Sequence, residues 1–163
     1  MKKNQLEQLY QAYYNDVYLY ALSLCKNHHV AQEITSDTFF KALLSLEEAN
    51  GNIKYWLIRV CKNLTLNYFR SRRRFAVKPL EELPLATGRD PVLRSLLQKE
   101  ELLALYQAIY SLPPAARECL TLFYFSGLSC QEIAQTTGTT NGAVRALLYR
   151  TRQKLKKEME ETV

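Results

Sequence analysis

Apolar side chains recur at steps of three and four residues along most of this chain, and no stretch alternates apolar and polar residues as a strand would. In the first half, the spacing predicts helices over about 6–24, 30–46 and 53–72, the first of them continuous or broken near Asn15 and Asp16. Only 5 glycines and 5 prolines occur among 163 residues, which favours long helices. The sequence therefore predicts an all-α protein.

Residues 76–92 differ in character from the segments on either side of them. Their helix breakers are Pro79, Pro84, Gly88 and Pro91. We expect a flexible linker here, joining two small helical domains at residues 1–75 and 93–163. At the start of the second domain, the apolar pattern predicts a helix over about 92–109, and prolines end it.

Charge is unevenly distributed along the chain. Residues 1–78 hold 12 basic and 6 acidic side chains, residues 79–144 hold 4 and 7, and residues 145–163 hold 6 and 3. Two basic regions therefore flank an acidic middle, as expected if two separate surfaces face one long polyanion such as nucleic acid. The alternative is that both basic regions are merely solvated helix ends.

The strongest local signal lies at residues 129–155. Ser129 and Glu132 have the spacing of a capping box, a tight turn follows at Gly138, and a longer basic helix comes next. This order predicts a helix-turn-helix whose second helix enters the major groove of DNA; the alternative is a helical hairpin with a solvated basic face. Its predicted core is Ile133, Ala134, Val144 and Leu148. The residues expected to face DNA are Thr140, Asn141, Arg145, Ala146, Tyr149, Arg150 and Arg152.

A second basic cluster, residues 70–74, ends a helix rich in aromatic residues. Arginines neutralise phosphates, and aromatic rings stack on unpaired bases, so this segment indicates a surface for single-stranded nucleic acid. A positive cluster at a helix C-terminus also suits the helix dipole alone. The aromatic residues concerned are Tyr55, Trp56, Tyr68 and Phe69, of which Trp56 is more typical of a core than of a stacking surface.

The sequence offers no support for an enzyme. There is no nucleophile with a base, no phosphate-binding glycine loop and no metal spacing, so we expect no cofactor, metal or small-molecule substrate. The four cysteines fall in apolar helical patterns and are predicted to be structural. Without a signal peptide or a membrane-length apolar run, we expect a cytoplasmic protein that is not inserted in a membrane.

Several segments together resemble one family. Residues 31–39 (AQEITSDTF), 56–64 (WLIRVCKNL), 112–118 (LPPAARE) and 127–134 (GLSCQEIA) are similar, in order and spacing, to motifs of the extracytoplasmic-function (ECF) group of bacterial RNA polymerase sigma factors. The basic residues 150–155 (RTRQKL) also resemble that group. The resemblance covers nearly the whole chain outside the linker. It implies an alternative sigma factor that binds core RNA polymerase and promoter DNA.

The resemblance also implies roles for individual residues. Core polymerase would be bound by Glu33, Ser36, Asp37, Phe39 and Lys41. The melted minus-ten element would be bound by Asn52, Lys54, Tyr55, Trp56, Arg59, Lys62, Asn63, Asn67, Arg70, Arg72, Arg73 and Arg74. The last helix would read the minus-thirty-five element, and an anti-sigma factor would restrain the protein. The chain departs from the family pattern at Gln32, Ser36, Leu43, Asn67 and Leu147.

Two other functions remain open at this point. A two-domain helix-turn-helix regulator that never touches polymerase explains residues 129–155, but it leaves the matches at 31–39 and 56–64 unexplained. A helical adaptor that binds only protein would carry its basic faces for solubility. Binding to core polymerase separates the first interpretation from both alternatives.

Overall fold

The computed structural model describes residues 3–45, 51–74 and 90–161, and the regular structure within these ranges is entirely helical. The predicted all-α class is confirmed. The chain forms two compact units, residues 1–84 and 85–163. The predicted linker lies almost wholly outside the described residues, and the exact domain limits stay predictions.

The first unit contains three helices, α1 (Lys3–Cys25), α2 (His28–Ser45) and α3 (Ile53–Arg74), and each contacts the other two. Helix α1 is continuous, so the break considered near Asn15 does not occur. Val17, Tyr20 and Ala21 are fully buried directly after it, because α2 and α3 cover this part of α1. Tertiary packing thus outweighs the weak local helix propensity of Asn15 and Asp16.

Local signals set the boundaries between these helices. Lys26 adopts a left-handed backbone conformation that ends α1, and the side-chain oxygen of Asn27 accepts a hydrogen bond from the Val30 amide at 3.2 Å. In the same way, the Asn52 side-chain oxygen accepts from the Tyr55 amide at 3.0 Å and caps the start of α3. Capping satisfies backbone amides that have no partner within the helix.

The second unit contains α4 (Pro91–Leu96), α5 (Glu100–Tyr110), α6 (Pro114–Tyr124), α7 (Cys130–Thr137) and α8 (Asn141–Glu161). The single helix predicted over 92–109 is wrong, since it is divided between α4 and α5. Asp90 caps α4 by accepting from the amides of Val92 and Leu93, and an extended Leu97 ends it. Helix α4 therefore begins within the segment predicted as the linker.

The turn between α5 and α6 depends on a buried arginine. Leu112 and Arg117 are both buried, and the Arg117 guanidinium donates a hydrogen bond to the Leu112 carbonyl at 3.0 Å. A buried charge is tolerated when it is hydrogen-bonded. The LPPAARE segment is therefore explained by structure: the prolines begin α6, and the arginine fixes the turn before it.

Helices α7 and α8 form the predicted helix-turn-helix. The Ser129 hydroxyl accepts from the Glu132 amide at 3.1 Å, and the Glu132 carboxylate accepts from the Ser129 amide at 2.9 Å, which completes the capping box. Gly138 adopts a left-handed conformation (φ 73°) that a side chain would strain, and it ends α7. The predicted core residues Ile133, Ala134, Val144 and Leu148 are all buried.

Candidate nucleic-acid and protein interfaces

The outer face of α3 is basic. At about 100° per residue, the exposed side chains of this face project within an arc of about 80°. They are Arg59, Asn63, Leu66, Arg70 and Arg73. Helix α3 contains no acidic residue, so nothing within the helix offsets these positive charges. Such a face suits the phosphates of a nucleic acid.

A cavity of about 410 Å³ lies between this face and α2. Its walls combine aromatic rings, amides and two cations, and no acidic residue is among the described residues that line it. The lining residues are Lys41, Asn52, Tyr55, Trp56, Arg59, Val60 and Asn63. The volume falls within the range of about 300–1,000 Å³ that is typical of pockets for small ligands. Rings beside cations suit an unstacked base and its phosphate.

Interactions within α3 hold the cavity wall in place. The Arg59 guanidinium donates to the Tyr55 hydroxyl at 2.9 Å and stacks over the Tyr55 ring, 5.6 Å from its centroid. Arg59 thereby orients the ring and leaves its own positive charge at the cavity. Lys54 is half-buried near Asp16 of α1: burial raises the pKa of the Asp16 carboxyl, and the positive charge of Lys54 partly opposes this rise.

The minus-ten residues named from the sequence are not all on one surface. Arg72 projects about 140° away from the centre of the basic face, and its guanidinium donates to the Tyr68 hydroxyl at 3.2 Å. Arg70 contacts Asn67 at 3.3 Å on the exposed side. Lys62 is half-buried, whereas Arg73 and Arg74 are exposed. Sequence alone gave these residues equal weight because all of them are basic or polar.

The outer face of α2 carries acids and exposed apolar side chains together. Glu33, Ser36 and Asp37 are exposed, as expected of a contact surface. Phe40 and Leu44 are 61% and 71% exposed and lie within the same arc of about 60° as the two acids. Neither residue is predicted from the sequence. They could have been found by noting that Ile34, Thr38 and Ala42 already fill the inner face.

Two other residues assigned to the polymerase surface lie elsewhere. Phe39 is 4% exposed and packs against Tyr10 and Tyr14, with ring centroids 5.0 and 6.5 Å away. Phe39 therefore packs on the inner side of α2, and its role as a polymerase contact stays a prediction. Lys41 is exposed but lines the cavity against α3.

Helix α8 exposes most of the residues predicted to face DNA. Arg145, Ala146, Tyr149 and Arg150 are exposed on its first half, and Tyr149 reaches 66% exposure. In the turn before α8, the Thr140 hydroxyl accepts from the Ala143 amide at 3.1 Å and caps the helix. Asn141 is half-buried at the first position of α8.

Arg152 differs from the other arginines of α8. Its guanidinium carbon lies 4.7 Å from the ring centroid of Phe123 and 5.6 Å from that of Tyr124, both on α6. It also lines an open, mainly apolar groove of about 600 Å³, whose other lining residues are Leu105, Tyr124, Gln153, Leu155, Lys156, Met159 and Glu160. Arg152 therefore belongs to the groove between α5, α6 and α8.

The three thiols at Cys25, Cys61 and Cys119 are buried in the helical cores, whereas Cys130 is half-buried at the start of α7. Burial raises the pKa of the Cys25 thiol to about 12. Within residues 3–45, 51–74 and 90–161, no group of three or more His, Cys, Asp or Glu side chains has a geometry that holds a metal ion.

Comparison with known proteins agrees with this geometry. The family model for Sigma-70 region 2 matches residues 9–75, which contain α3 and its cavity. The model for Sigma-70, region 4 matches residues 102–155, which contain the helix-turn-helix. In the part of the chain that the structure describes, no helix combines the length and apolarity needed to cross a bilayer.

Several curated relatives of this chain are also described as RNA polymerase sigma factors. The ECF RNA polymerase sigma factor SigM of Bacillus subtilis (strain 168) is 29% identical over 152 residues, which cover 93% of this chain and 93% of SigM. SigE of Mycolicibacterium smegmatis and BldN of Streptomyces coelicolor are each 33% identical, over 92% and 88% of this chain. The matches span 60% of SigE and 56% of BldN.

Two solved structures share the fold. The sigma factor RpoE, in complex with the anti-sigma factor NepR from Bartonella quintana, aligns with a TM-score of 0.69 at 22% identity over 96% of this chain and 97% of that chain. CnrH, in complex with the cytosolic domain of CnrY, aligns with a TM-score of 0.63 at 21% identity over 99% and 92%. The two-domain helical architecture and both domain models place this chain in the sigma-70 family. Within that family, it belongs to the extracytoplasmic-function group.

Proposed function

We propose that this ECF sigma factor binds core RNA polymerase in the cytoplasm and directs it to promoters, without catalysing a reaction itself. The observation that carries the proposal is the pairing of two different DNA surfaces in one chain. The first unit has a basic face with an aromatic cavity, which suits an unpaired DNA strand. The second unit has a helix-turn-helix, which suits duplex DNA.

The face of α3 and its cavity would hold the melted minus-ten element. An unpaired base that leaves the stack needs a pocket and a ring to stack on, and Tyr55 and Trp56 provide both at the cavity. Arg59, Arg70 and Arg73 would neutralise the phosphates that follow along the strand. Arg72, on another face, is better placed to stabilise α3 through Tyr68 than to contact this strand.

The first half of α8 would read the minus-thirty-five element. The N-terminal turns of a recognition helix approach base edges in the major groove, and Arg145 lies one turn into the helix. An arginine there can form a bidentate contact with guanine, while the exposed Tyr149 ring can reach a thymine methyl group. Arg150 lies beside it and can contact either a base or a phosphate.

The outer face of α2 would dock on core polymerase. Exposed apolar side chains next to acids form an anchor surrounded by charge, and such anchors carry most of the binding energy in protein interfaces. Phe40 and Leu44 are the anchors, and Glu33 and Asp37 would select a basic partner surface.

The groove between α5, α6 and α8 supports a further protein contact. We propose that an anti-sigma factor restrains this protein and that one of its helices covers the groove. The support is the open, mainly apolar lining, which suits the apolar face of an amphipathic helix; Arg152, Lys156 and Glu160 line the same groove and can pair with charges of either sign. One structural relative, RpoE, is bound to the anti-sigma factor NepR, and the other, CnrH, is bound to the cytosolic domain of CnrY.

The proposal is tested by transcription in vitro with purified chain, core polymerase and a library of genomic promoters. We expect promoter-specific transcripts only when both proteins are present. Asp37→Arg and Phe40→Ala should each reduce affinity for core polymerase about tenfold or more with an unchanged circular dichroism spectrum. DNA binding without any affinity for core polymerase would instead favour a helix-turn-helix regulator, and binding to neither would favour an adaptor.

A further inference from the structure

Helix α8 extends past the core of the second unit. It runs for 21 residues, and Leu155 is the last buried residue along it within the part of the helix whose side chains the structure describes. Residues 156–160 are all exposed. Met159 lies one turn beyond Leu155 on the same side of the helix and is 39% exposed. The end of α8 therefore presents apolar surface that the second unit itself does not cover.

Leu155 and Met159 together form an apolar ridge along α8. The ridge lines the groove of about 600 Å³ between α5, α6 and α8. Half-buried Leu105 of α5 and the Tyr124 ring of α6, which is 40% exposed, supply the rest of the apolar lining. A methionine side chain is unbranched and polarisable, so it fills an irregular apolar space well. A second copy of this chain can supply such a side chain, namely its own Met159.

Charged side chains flank the apolar ridge and change sign along the helix. At about 100° per residue, Arg152, Lys156 and Glu160 lie on one side of the ridge. Lys154 and Glu158 lie on the other side, and all of these charged residues are exposed. On both sides the basic residues come first, and the acidic residues come nearer the end of α8. The surface around the ridge is therefore positive at one end and negative at the other.

This order of charges is complementary to itself when two copies of α8 meet in opposite directions. Two copies related by a two-fold axis present the same patch to each other, and an axis across α8 makes the two helices antiparallel. Lys156 of each copy then lies toward Glu160 of the other, and Lys154 lies toward Glu158. Opposite charges that face each other across an interface fix its orientation and register. A parallel pair would instead place basic residues level with basic residues.

We propose that two copies of this chain associate through this groove when no other protein occupies it. The two α8 helices lie antiparallel, Met159 of each copy enters the groove of the other, and the flanking charges pair. The second copy and the anti-sigma helix proposed for the same groove exclude each other. Association of the two copies requires neither polymerase nor DNA, so it is tested, and can fail, independently of the proposed function.

The first test measures self-association of the full chain by sedimentation over a range of concentrations. We expect a monomer–dimer equilibrium with a dissociation constant in the micromolar range, because the groove is small for a protein interface. Met159→Gln keeps the length of the side chain but makes it polar, and it should weaken association about tenfold. Val92→Gln is the matched control and should change nothing, since Val92 is 38% exposed on α4 and is not among the residues that line the groove.

A second test exchanges charges between the copies. One variant carries Lys154→Glu and Lys156→Glu, and the other carries Glu158→Lys and Glu160→Lys. Each variant alone should associate more weakly than the unmodified chain, because like charges then face each other. An equimolar mixture should recover association, with both variants in one dimer, as measured by native mass spectrometry. These residues also lie four apart and can pair within one helix, but mixing two variants cannot restore pairs within a helix.

Three results would overturn the proposal. The first is an unmodified chain that sediments as a monomer up to the millimolar range. The second is an equal effect of Met159→Gln and Val92→Gln on association, which would place the contact elsewhere. The third is a mixture of the two charge variants that associates no better than either variant alone, which would exclude the antiparallel pairing of α8. The circular dichroism spectrum of each variant must match that of the unmodified chain, so that a loss of association is distinguished from a loss of fold.

Discussion

Helices α3 and α8 are both long, basic and assigned to DNA, yet they present their charge in different ways. On α3, Arg59, Arg70 and Arg73 share one exposed face beside an aromatic cavity. On α8, Arg145 and Arg150 are exposed near the start, whereas Arg152 stacks on the rings of α6. The number of arginines is therefore a poor guide to a DNA surface. What matters is which face the surrounding helices leave open.

We expect the largest effect on stability from a substitution that leaves a cavity in the core beneath α8. Leu148 is 2% exposed, and Leu148→Ala should destabilise the second unit by about 2–5 kcal/mol because it leaves a cavity. The single tryptophan, Trp56, lies in the first unit. Unfolding by denaturant should therefore be unchanged when it is followed by tryptophan fluorescence, whereas circular dichroism should show a loss of helix at lower denaturant concentrations. Leu147→Ala, at a half-buried neighbour, is the matched control. A shift of both signals together would show that the units do not unfold separately.

The next effect concerns reading of duplex DNA by α8. Arg145→Ala should reduce discrimination between matched and scrambled minus-thirty-five elements by about 1–3 kcal/mol, since a base contact is lost. Arg152→Ala should leave both discrimination and salt slope nearly unchanged, because its guanidinium is stacked on Phe123. Holoenzyme footprinting and salt titration measure both quantities. A flatter salt dependence for Arg152→Ala would place that arginine on the phosphates after all.

A smaller effect should distinguish faces within α3. Removing Arg70 and Arg73 together should lower the salt slope for single-strand binding by about 1.4, twice the value for one phosphate. Arg72→Ala, which removes the same kind of charge from another face, should lower it far less. Equal losses per arginine would mean that total charge, not its position, governs binding.

We expect the smallest effect in the rates at which thiols of the two units are alkylated. Burial raises the pKa of Cys25 to about 12 from an ordinary value of 9.0, so it should resist alkylation at pH 8 while half-buried Cys130 reacts. Peptide mapping by mass spectrometry measures both rates. Because the folded state holds the Cys25 proton more tightly than the unfolded chain, this group contributes its stability fully below about pH 9. That contribution is lost as the pH rises toward 12.

Local chemistry made much of the fold predictable. The capping box at Ser129 and Glu132 and the glycine turn at Gly138 depend only on neighbours in the chain, and both appear as expected. Errors occurred where distant groups decided the outcome. Helix α1 continues through the exposed Asn15 because the residues directly after it are buried against α2 and α3, and one apolar pattern near residue 97 divides into α4 and α5.

By itself, the sequence determined the helical class, the helix-turn-helix and the family, since periodicity, caps and ordered motifs are written in consecutive residues. Only the tertiary structure decided which face each side chain occupies. Phe39 is buried while Phe40 is exposed, and Lys41 turns toward α3 although it follows acids that face outward. The physical reason is that neighbouring residues on a helix differ by about 100° in direction. Their roles then depend on where the other helices pack.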